Sequence, residues 1–289
     1  MCFTALVIST DTIRELLRHE WGLTDAAVSD HHGGMNSATW WVDVDGQRRF
    51  VAKSVPETAT SDFLGGLNVA ARLGASGIPA GAPTPTRSGA TVATIEGRAL
   101  ALLTYVPGDE LTNDDTHAVG TTLGRVHLAL QDAQVSGVQP FIEIDLDQPF
   151  MGIRDWIRPA VAAALADIDL STFTTGILHT DPAPEAFRRD PRTGMVGMID
   201  WSVAMRGPLL YDVASAVMYA GDGLLDAYVR TGALDVEEID AGLSMMLRFR
   251  GAVQAWYFAR RTANEDLTGI DDAGGNEEGL TDARVMLER

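Results

Sequence analysis

The sequence predicts an α+β protein of two lobes, a small β-rich lobe followed by a larger, mainly helical one. Three observations point there. Short strand patterns punctuated by glycine dominate before Val106-Pro107-Gly108. Segments with apolar residues at helical spacing dominate after it. The length, 289 residues, suits about one or two domains and allows roughly 75% of the unfolded surface to be buried. The predicted division is 1–103 for the first lobe, 104–108 for a hinge and 109–289 for the second.

Each element has its own signal. Thr12 and Glu15 are spaced as a capping box ahead of an apolar stripe that begins with Ile13, Leu16 and Leu17. "GGMNSATWWVDVDGQRRFVAKSV" reads as a glycine-rich turn, a strand, an Asp45-Gly46 turn and a second strand, since Gly46 supplies the positive φ that a tight hairpin needs. A helix-like stretch runs from Ser61 to Gly74, and "GIPAGAPTPTRSGA" after it is loop by its proline and glycine content. "ALALLTYVPGDEL" is a buried strand that stops at Val106-Pro107-Gly108. Val119, Leu123, Val126 and Leu130 share one helical face, and Ile153 to Leu165 reads as helix despite Pro159. From Leu209 onward the pattern is mostly helical, interrupted near "TGIDDAGGNEEG". There is no internal repeat and no low-complexity tract.

Composition narrows the partners. Hydrophobic residues make up 46% and charged residues 21%, as in soluble globular chains. Cys2 is the only cysteine, which excludes an intrachain disulfide and fits a reducing compartment. No apolar run reaches the roughly 20 residues that span a bilayer, and "MCFTALVIST" lacks the basic region of a signal peptide. A cytoplasmic protein is expected. The net charge is −18, from 40 acids against 22 bases. That field repels nucleic-acid backbone and anionic membrane, so neither is expected as a partner; it favours cationic ligands, and it also serves solubility.

Four stretches carry chemistry-bearing residues. Gly33, Gly34, Asn36 and Ser37 lie between a helix and a strand, where glycines let amides approach an anion; a Gly-Gly turn is also often only a turn. Lys53 shares a strand face with Val51 and Val55, so its ammonium needs an anion or a route to water. In "ILHTDPAPEAF" Asp181 follows an apolar strand, as a base that takes a proton from a hydroxyl does, with His179 nearby to hold the loop; an Asp before a proline is equally a turn residue. Asp200 ends a further apolar strand, where a carboxylate suits a hard divalent cation and its phosphate ligands. Asp212, in "LLYDVASAV", reads as a helix cap or anchor. In this order the parts match what phosphoryl transfer from a nucleotide requires, namely positioning and charge neutralisation.

"LHTDPAPEAF" followed by "GMIDWSVAMRGPLLYDVASAV" resembles the aminoglycoside phosphotransferase family, which also takes in choline kinases, fructosamine kinases and one type of homoserine kinase. "GGMNSATWWV", "FVAK", "LLTYVPGDEL" and "LGRVH" extend the resemblance over most of the chain. It implies a protein-kinase-like two-lobe fold, ATP or alternatively GTP in the cleft, and Mg2+. It implies Asp181 as catalytic base with His179 supporting its loop, Asp200 as magnesium ligand, Lys53 on the ATP phosphates and residues 33–37 over them. The backbone from Thr104 to Val106 would meet adenine.

Two departures stand out. The family loop reads His-Gly-Asp, four residues, then a metal-binding Asn; here Thr180 replaces the Gly and Ala186 occupies the Asn position, with Glu185, one residue earlier, the candidate substitute ligand. The family's helix glutamate, which pairs with the lysine, has no match in "SDFLGGLNVAARL", where Asp62 is the one acidic residue. The resemblance also implies an acceptor bound partly by C-terminal carboxylates: Glu265, Asp266 and Asp271, in a stretch that also holds Asp272, Glu277 and Glu278; Trp256 and Tyr257 read either as pocket lining or, by their helical spacing, as core. An amine-bearing small molecule would suit those carboxylates, and a solvated acidic loop is the other reading. Three readings follow: a kinase acting on a hydroxyl of a small, cationic molecule, a pseudokinase that binds a nucleotide or partner, and a peptide Ser/Thr kinase.

Overall fold

The computed structural model describes residues 8–31, 37–166, 168–270 and 272–288. The expected phosphate-covering residues Gly33, Gly34 and Asn36 lie outside the described residues, and so does Asp271.

Helix α1 (Thr10–Leu16) is capped by Ser9, whose hydroxyl accepts the Thr12 amide at 3.1 Å. The cap is therefore one turn earlier than the expected Thr12: Ser9 has the extended backbone of a cap, which puts Thr12 already inside the first turn. Glu15 instead pairs with Arg18. The helix passes into a π-helical turn over Leu17–Trp21 and ends at Gly22 in the left-handed region.

Strands β1 (Ala27–His31), β2 (Ala38–Val44) and β3 (Gln47–Pro56) follow, with β2 and β3 joined at Asp45 and Gly46, both at positive φ as a tight hairpin requires. Helix α2 (Thr60–Ala75) intervenes before β4 (Pro83–Thr84), β5 (Ala93–Ile95) and β6 (Arg98–Thr104). These strands form one antiparallel sheet in the order β1-β2-β3-β6-β4, with β5 also paired to β6. One sheet face buries Trp40, Val42, Ala52, Leu100 and Leu102 against Ile13 and Leu17 of the first helical segment. The opposite face of β3 carries Val51, Lys53 and Val55 into a cleft; the two-residue period of a strand separates the sets.

Beyond Val106 come β7 (Asp109–Glu110), α3 (Thr116–Leu130), β8 (Gln139–Pro140) and α4 (Ile157–Ala166). The last starts four residues later than expected, so that Pro159, which lacks an amide proton, falls in the first turn where no helical bond is lost. Then follow β9 (Thr175–Leu178), β10 (Phe187–Arg189), β11 (Val196–Met198), β12 (Met205–Pro208), α5 (Leu209–Ala220), α6 (Leu225–Val229), α7 (Val236–Ala263) and α8 (Gly274–Leu287). Two small sheets, β11-β10-β7 and β8-β12-β9, set the loops that leave β9 and β11 at the cleft. Helix α8 begins inside the stretch read as an interruption: the break is confined to 264–273, and the Asp272 carboxylate accepts the Gly274 amide at 2.7 Å.

The largest core joins Val69 and Leu73 of α2, Val119, Leu123 and Val126 of α3, Ile177 and Leu178 of β9, and Met246 and Phe249 of α7. Helix α2 thus packs on the helical lobe with Val69 and Leu73 and on the sheet with Phe63 and Leu67. Among the described residues no helix is long and apolar enough to cross a membrane.

Candidate active site

A cleft of about 1660 Å³ runs between the sheet and the helices. Lys53, opposite Thr39 on β2 and Ala101 on β6, is buried in its wall, and its Nζ donates to Asp200 Oδ1 at 2.5 Å. Asp200 follows β11 with φ of 68°, a conformation Asp tolerates better than most residues. Its carboxylate stands open to the cleft and also accepts the Ser202 hydroxyl at 3.0 Å. The surrounding cleft wall works to raise its pKa, but the Lys53 charge and hydrogen bond, helped by His179 and Ser202, outweigh this and hold it at about 2. Asp62 lines the same cleft without a hydrogen bond or ion pair to Lys53, so Asp200 takes the place of the missing helix acid.

The loop after β9 is held from below. Asp212, buried in the first turn of α5, accepts the His179 amide at 2.7 Å and the Thr180 amide at 2.8 Å, and lies 3.2 Å from His127 Nε2. It anchors this loop rather than capping a helix. The buried His179 donates from Nε2 to the Ile199 carbonyl at 2.7 Å, which ties the loop to the strand end that carries Asp200; since a carbonyl only accepts, the proton is on that nitrogen. His179 therefore positions the loop. Thr180 has φ of 75°, which explains why a glycine suits this position in the resembling family.

Asp181 stands exposed at the loop's tip. Its Oδ1 accepts the Tyr219 hydroxyl at 2.6 Å and is 3.5 Å from Arg250 Nη2. Burial, with Asp181 next in effect, pushes the Tyr219 phenol well above its ordinary pKa, so it remains a donor. Beyond the loop, Ala186 is buried and its carbonyl accepts the Ile199 amide at 2.8 Å. Glu185, one residue earlier, is exposed on the cleft wall. Among the described residues no three His, Cys, Asp or Glu side chains gather into a metal-sized group. Magnesium commonly takes only one or two carboxylates, with phosphate oxygens and water completing its shell; Asp200, with Glu185 lining the same cleft, fits that donor set by chemistry.

The expected nucleotide-side residues Ser37, Lys53, Thr104 and Val106 all line the cleft. The Thr104 amide bonds to Ala82 O and the Tyr105 amide to Arg49 O, each at 2.9 Å. On the acceptor side Trp256 lines the cleft, but Glu265 and Asp266 are not among its lining residues. The reason is Arg261: buried on α7, it donates to Thr268 O at 2.6 Å and Asn276 Oδ1 at 3.0 Å, pulling the 264–276 segment onto the helix. Asp266 turns inward to accept the Thr268 amide at 3.0 Å, and Glu265 sits in the turn at φ of 52°. The carboxylates that do reach the cleft from α8 are Glu278 and Asp282, four residues apart on one helical face.

Sequence reading missed Tyr219, Arg250, Asp282 and Trp41, whose ring stacks on His31 at 4.1 Å and meets Tyr105 edge-on at 5.9 Å. Arg250 had one available signal: it follows Phe249 and lies four residues after Met246 on a helix face that is otherwise core, where a cation needs a partner.

Comparison with known proteins agrees with this geometry. The model of the phosphotransferase enzyme family (APH) matches residues 27–242. A homoserine kinase of Rhodopseudomonas palustris (strain TIE-1) is 28% identical over 210 residues, 63% of this chain and 63% of that relative, so the chain spans less than two thirds of the length of the curated relative it matches. Among solved structures, amicoumacin kinase hAmiN in complex with AMP-PNP, Ca2+ and Ami superposes with a TM-score of 0.74 at 15% identity, covering 97% of this chain and 93% of that one. A microcompartment-associated aminopropanol kinase superposes with a TM-score of 0.72 at 16% identity, covering 96% and 95%. The fold is the two-lobe, protein-kinase-like α+β fold, and the chain belongs to the phosphotransferase enzyme family.

Proposed function

We propose that this protein transfers the γ-phosphoryl group of ATP to a hydroxyl of a small, amine-bearing molecule. The observation that carries this reading is the convergence of Lys53, Asp200 and Asp181 on one cleft, each held by its own strand or loop, in a chain of this family. The acceptor oxygen attacks the γ-phosphorus as its proton passes to Asp181. The bond from that phosphorus to the β–γ bridging oxygen breaks, and its electrons leave with ADP. Lys53 binds phosphate oxygens. Ser37 covers them, and the Thr104–Val106 backbone and Trp41 border the base. Asp200 and Glu185 would hold Mg2+, which when bound neutralises charge on the phosphates. Tyr219 holds the Asp181 carboxylate in place through its 2.6 Å hydrogen bond. The names of the similar proteins, homoserine kinase and aminopropanol kinase, support a small acceptor with both an amine and a hydroxyl, and Glu278 and Asp282 supply charge to match the amine.

The test pairs calorimetric titration of a non-hydrolysable ATP analogue, with and without magnesium, with phosphate-transfer assays on Asp181→Asn. Metal-dependent binding is expected. The variant should lose about 10²-fold or more in kcat, the usual worth of a general base, with analogue affinity changed less than about threefold. A fully active variant removes Asp181 as base, and binding indifferent to magnesium favours a nucleotide-binding module without transfer.

A further inference from the structure

Arg250 is only 8% exposed, yet it lines the cleft beside the catalytic loop. None of its contacts is short. Nη2 lies 3.4 Å from the Tyr219 hydroxyl and 3.5 Å from Asp181, Nη1 lies 3.4 Å from Gln254 Oε1, and Nε has no hydrogen-bond partner among the described residues. Good N–H···O bonds are about 2.9 Å, so a guanidinium with five donors is held here almost without one. Burial works against its charge, but Tyr211, Tyr219 and Asp181 more than offset this, and it stays a cation. A buried, under-bonded arginine in a protein with a net charge of −18 calls for an anion.

We infer that Arg250 is the receptor for a carboxylate on the acceptor, so that the molecule phosphorylated is a zwitterion rather than a plain amino alcohol. This rests on the small-molecule phosphotransferase reading. Two features favour an acceptor group over a nucleotide phosphate. Arg250 sits on α7, across the cleft from the Lys53 strand, and Gln254 links it to α8 by donating to Gly279 O at 3.1 Å. Gly279 lies between Glu278 and Asp282, the carboxylates available to an amine. The cleft therefore offers a planar cationic fork matched to a carboxylate, acids matched to an ammonium, and Asp181 for the hydroxyl.

The test uses three pairs of compounds that differ only by a carboxylate: L-homoserine and 3-aminopropan-1-ol, L-serine and ethanolamine, L-threonine and 1-aminopropan-2-ol. Binding of each is measured by calorimetry in the presence of magnesium and a non-hydrolysable ATP analogue, for the unaltered protein, Arg250→Met and Arg250→Lys. In at least one pair the amino acid should bind ten-fold or more tighter than its partner, because a site built to hydrogen-bond a group rejects an analogue that lacks it. That ratio should fall to about one in Arg250→Met and to an intermediate value in Arg250→Lys, which keeps the charge without the fork; the lysine variant also serves if the methionine variant does not fold. No advantage in any pair, or an advantage that survives Arg250→Met, overturns the inference. Because binding is read without turnover, selective binding with no phosphate transfer from ATP would sink the proposed function alone. Transfer to amino alcohols with no preference for the carboxylate would sink the inference alone.

Discussion

Thr180 occupies the left-handed region at φ of 75°, where a β-branched side chain is crowded against its own carbonyl. For a non-glycine residue that conformation costs about 1–2 kcal/mol. Two bonds hold the strain in place: the amide donates to Asp212 Oδ1 at 2.8 Å and the hydroxyl donates to Val203 O at 3.2 Å. Such strain is common in the loops of functional sites, and here it precedes Asp181, which lines the cleft. Replacing Thr180 by Val or by Gly removes the hydroxyl bond in both cases, so the difference between the variants isolates the backbone. Thr180→Gly is expected to be more stable than Thr180→Val by about 1 kcal/mol in urea unfolding, after allowing for the greater freedom of glycine in the unfolded chain. Equal stabilities, or the reverse order, would remove the strain argument.

At the scale of one element, α2 explains how the site works around the absent helix glutamate. The helix brings Gly65 and Gly66 against the other lobe, where a β-carbon on Gly66 would collide with the Trp201 carbonyl and one on Gly65 with the Gly137 carbonyl. Trp201 follows Asp200 directly, so the backbone of α2 itself, rather than a side chain from it, braces the residue that pairs with Lys53. Alanine at position 66 gains about 1 kcal/mol of helix propensity but must push backbone aside, and overpacking of that kind costs typically about 1–3 kcal/mol. Gly66→Ala should therefore lower Tm and weaken magnesium-dependent binding of an ATP analogue several-fold. A variant that matches the unaltered protein in both would show that this contact is slack.

Asp212 ties the molecule together at the largest scale. Its carboxylate, fully buried on α5, receives two amides from the loop after β9 and faces His127 on α3. The other ring nitrogen of His127 lies 2.8 Å from the Tyr228 hydroxyl on α6, so three helices and the loop after β9 share one buried polar set. Removing one partner of such a set leaves the others unpaired at a cost of about 3 kcal/mol or more. Asp212→Ala should lower stability by that amount and impair transfer through the displaced loop, whereas Asp212→Asn, which keeps one accepting oxygen, should lose less. A melting temperature within about a degree of the unaltered protein would refute the anchor.

Local pattern by itself determined a good deal of this protein. The β2–β3 hairpin, the face of β3 that carries Lys53, the helices α2 and α3, and the positions of Asp181 and Asp200 just past apolar strands were all legible, because each depends on residues close in sequence and on the short periods of strand and helix. The misreadings were local competitions: Ser9 over Thr12 as cap, and Pro159 drawn into the first turn of α4. Only the tertiary structure decided which distant groups share the cleft with Asp181 and Asp200. Tyr219, Arg250, Glu278 and Asp282 come from three different helices, and which side of each helix faces the cleft is set by packing between α5, α7 and α8, with Arg261 drawing Glu265 and Asp266 away from it. Rotation of a helix about its axis is governed by its neighbours, and no short stretch of sequence records it.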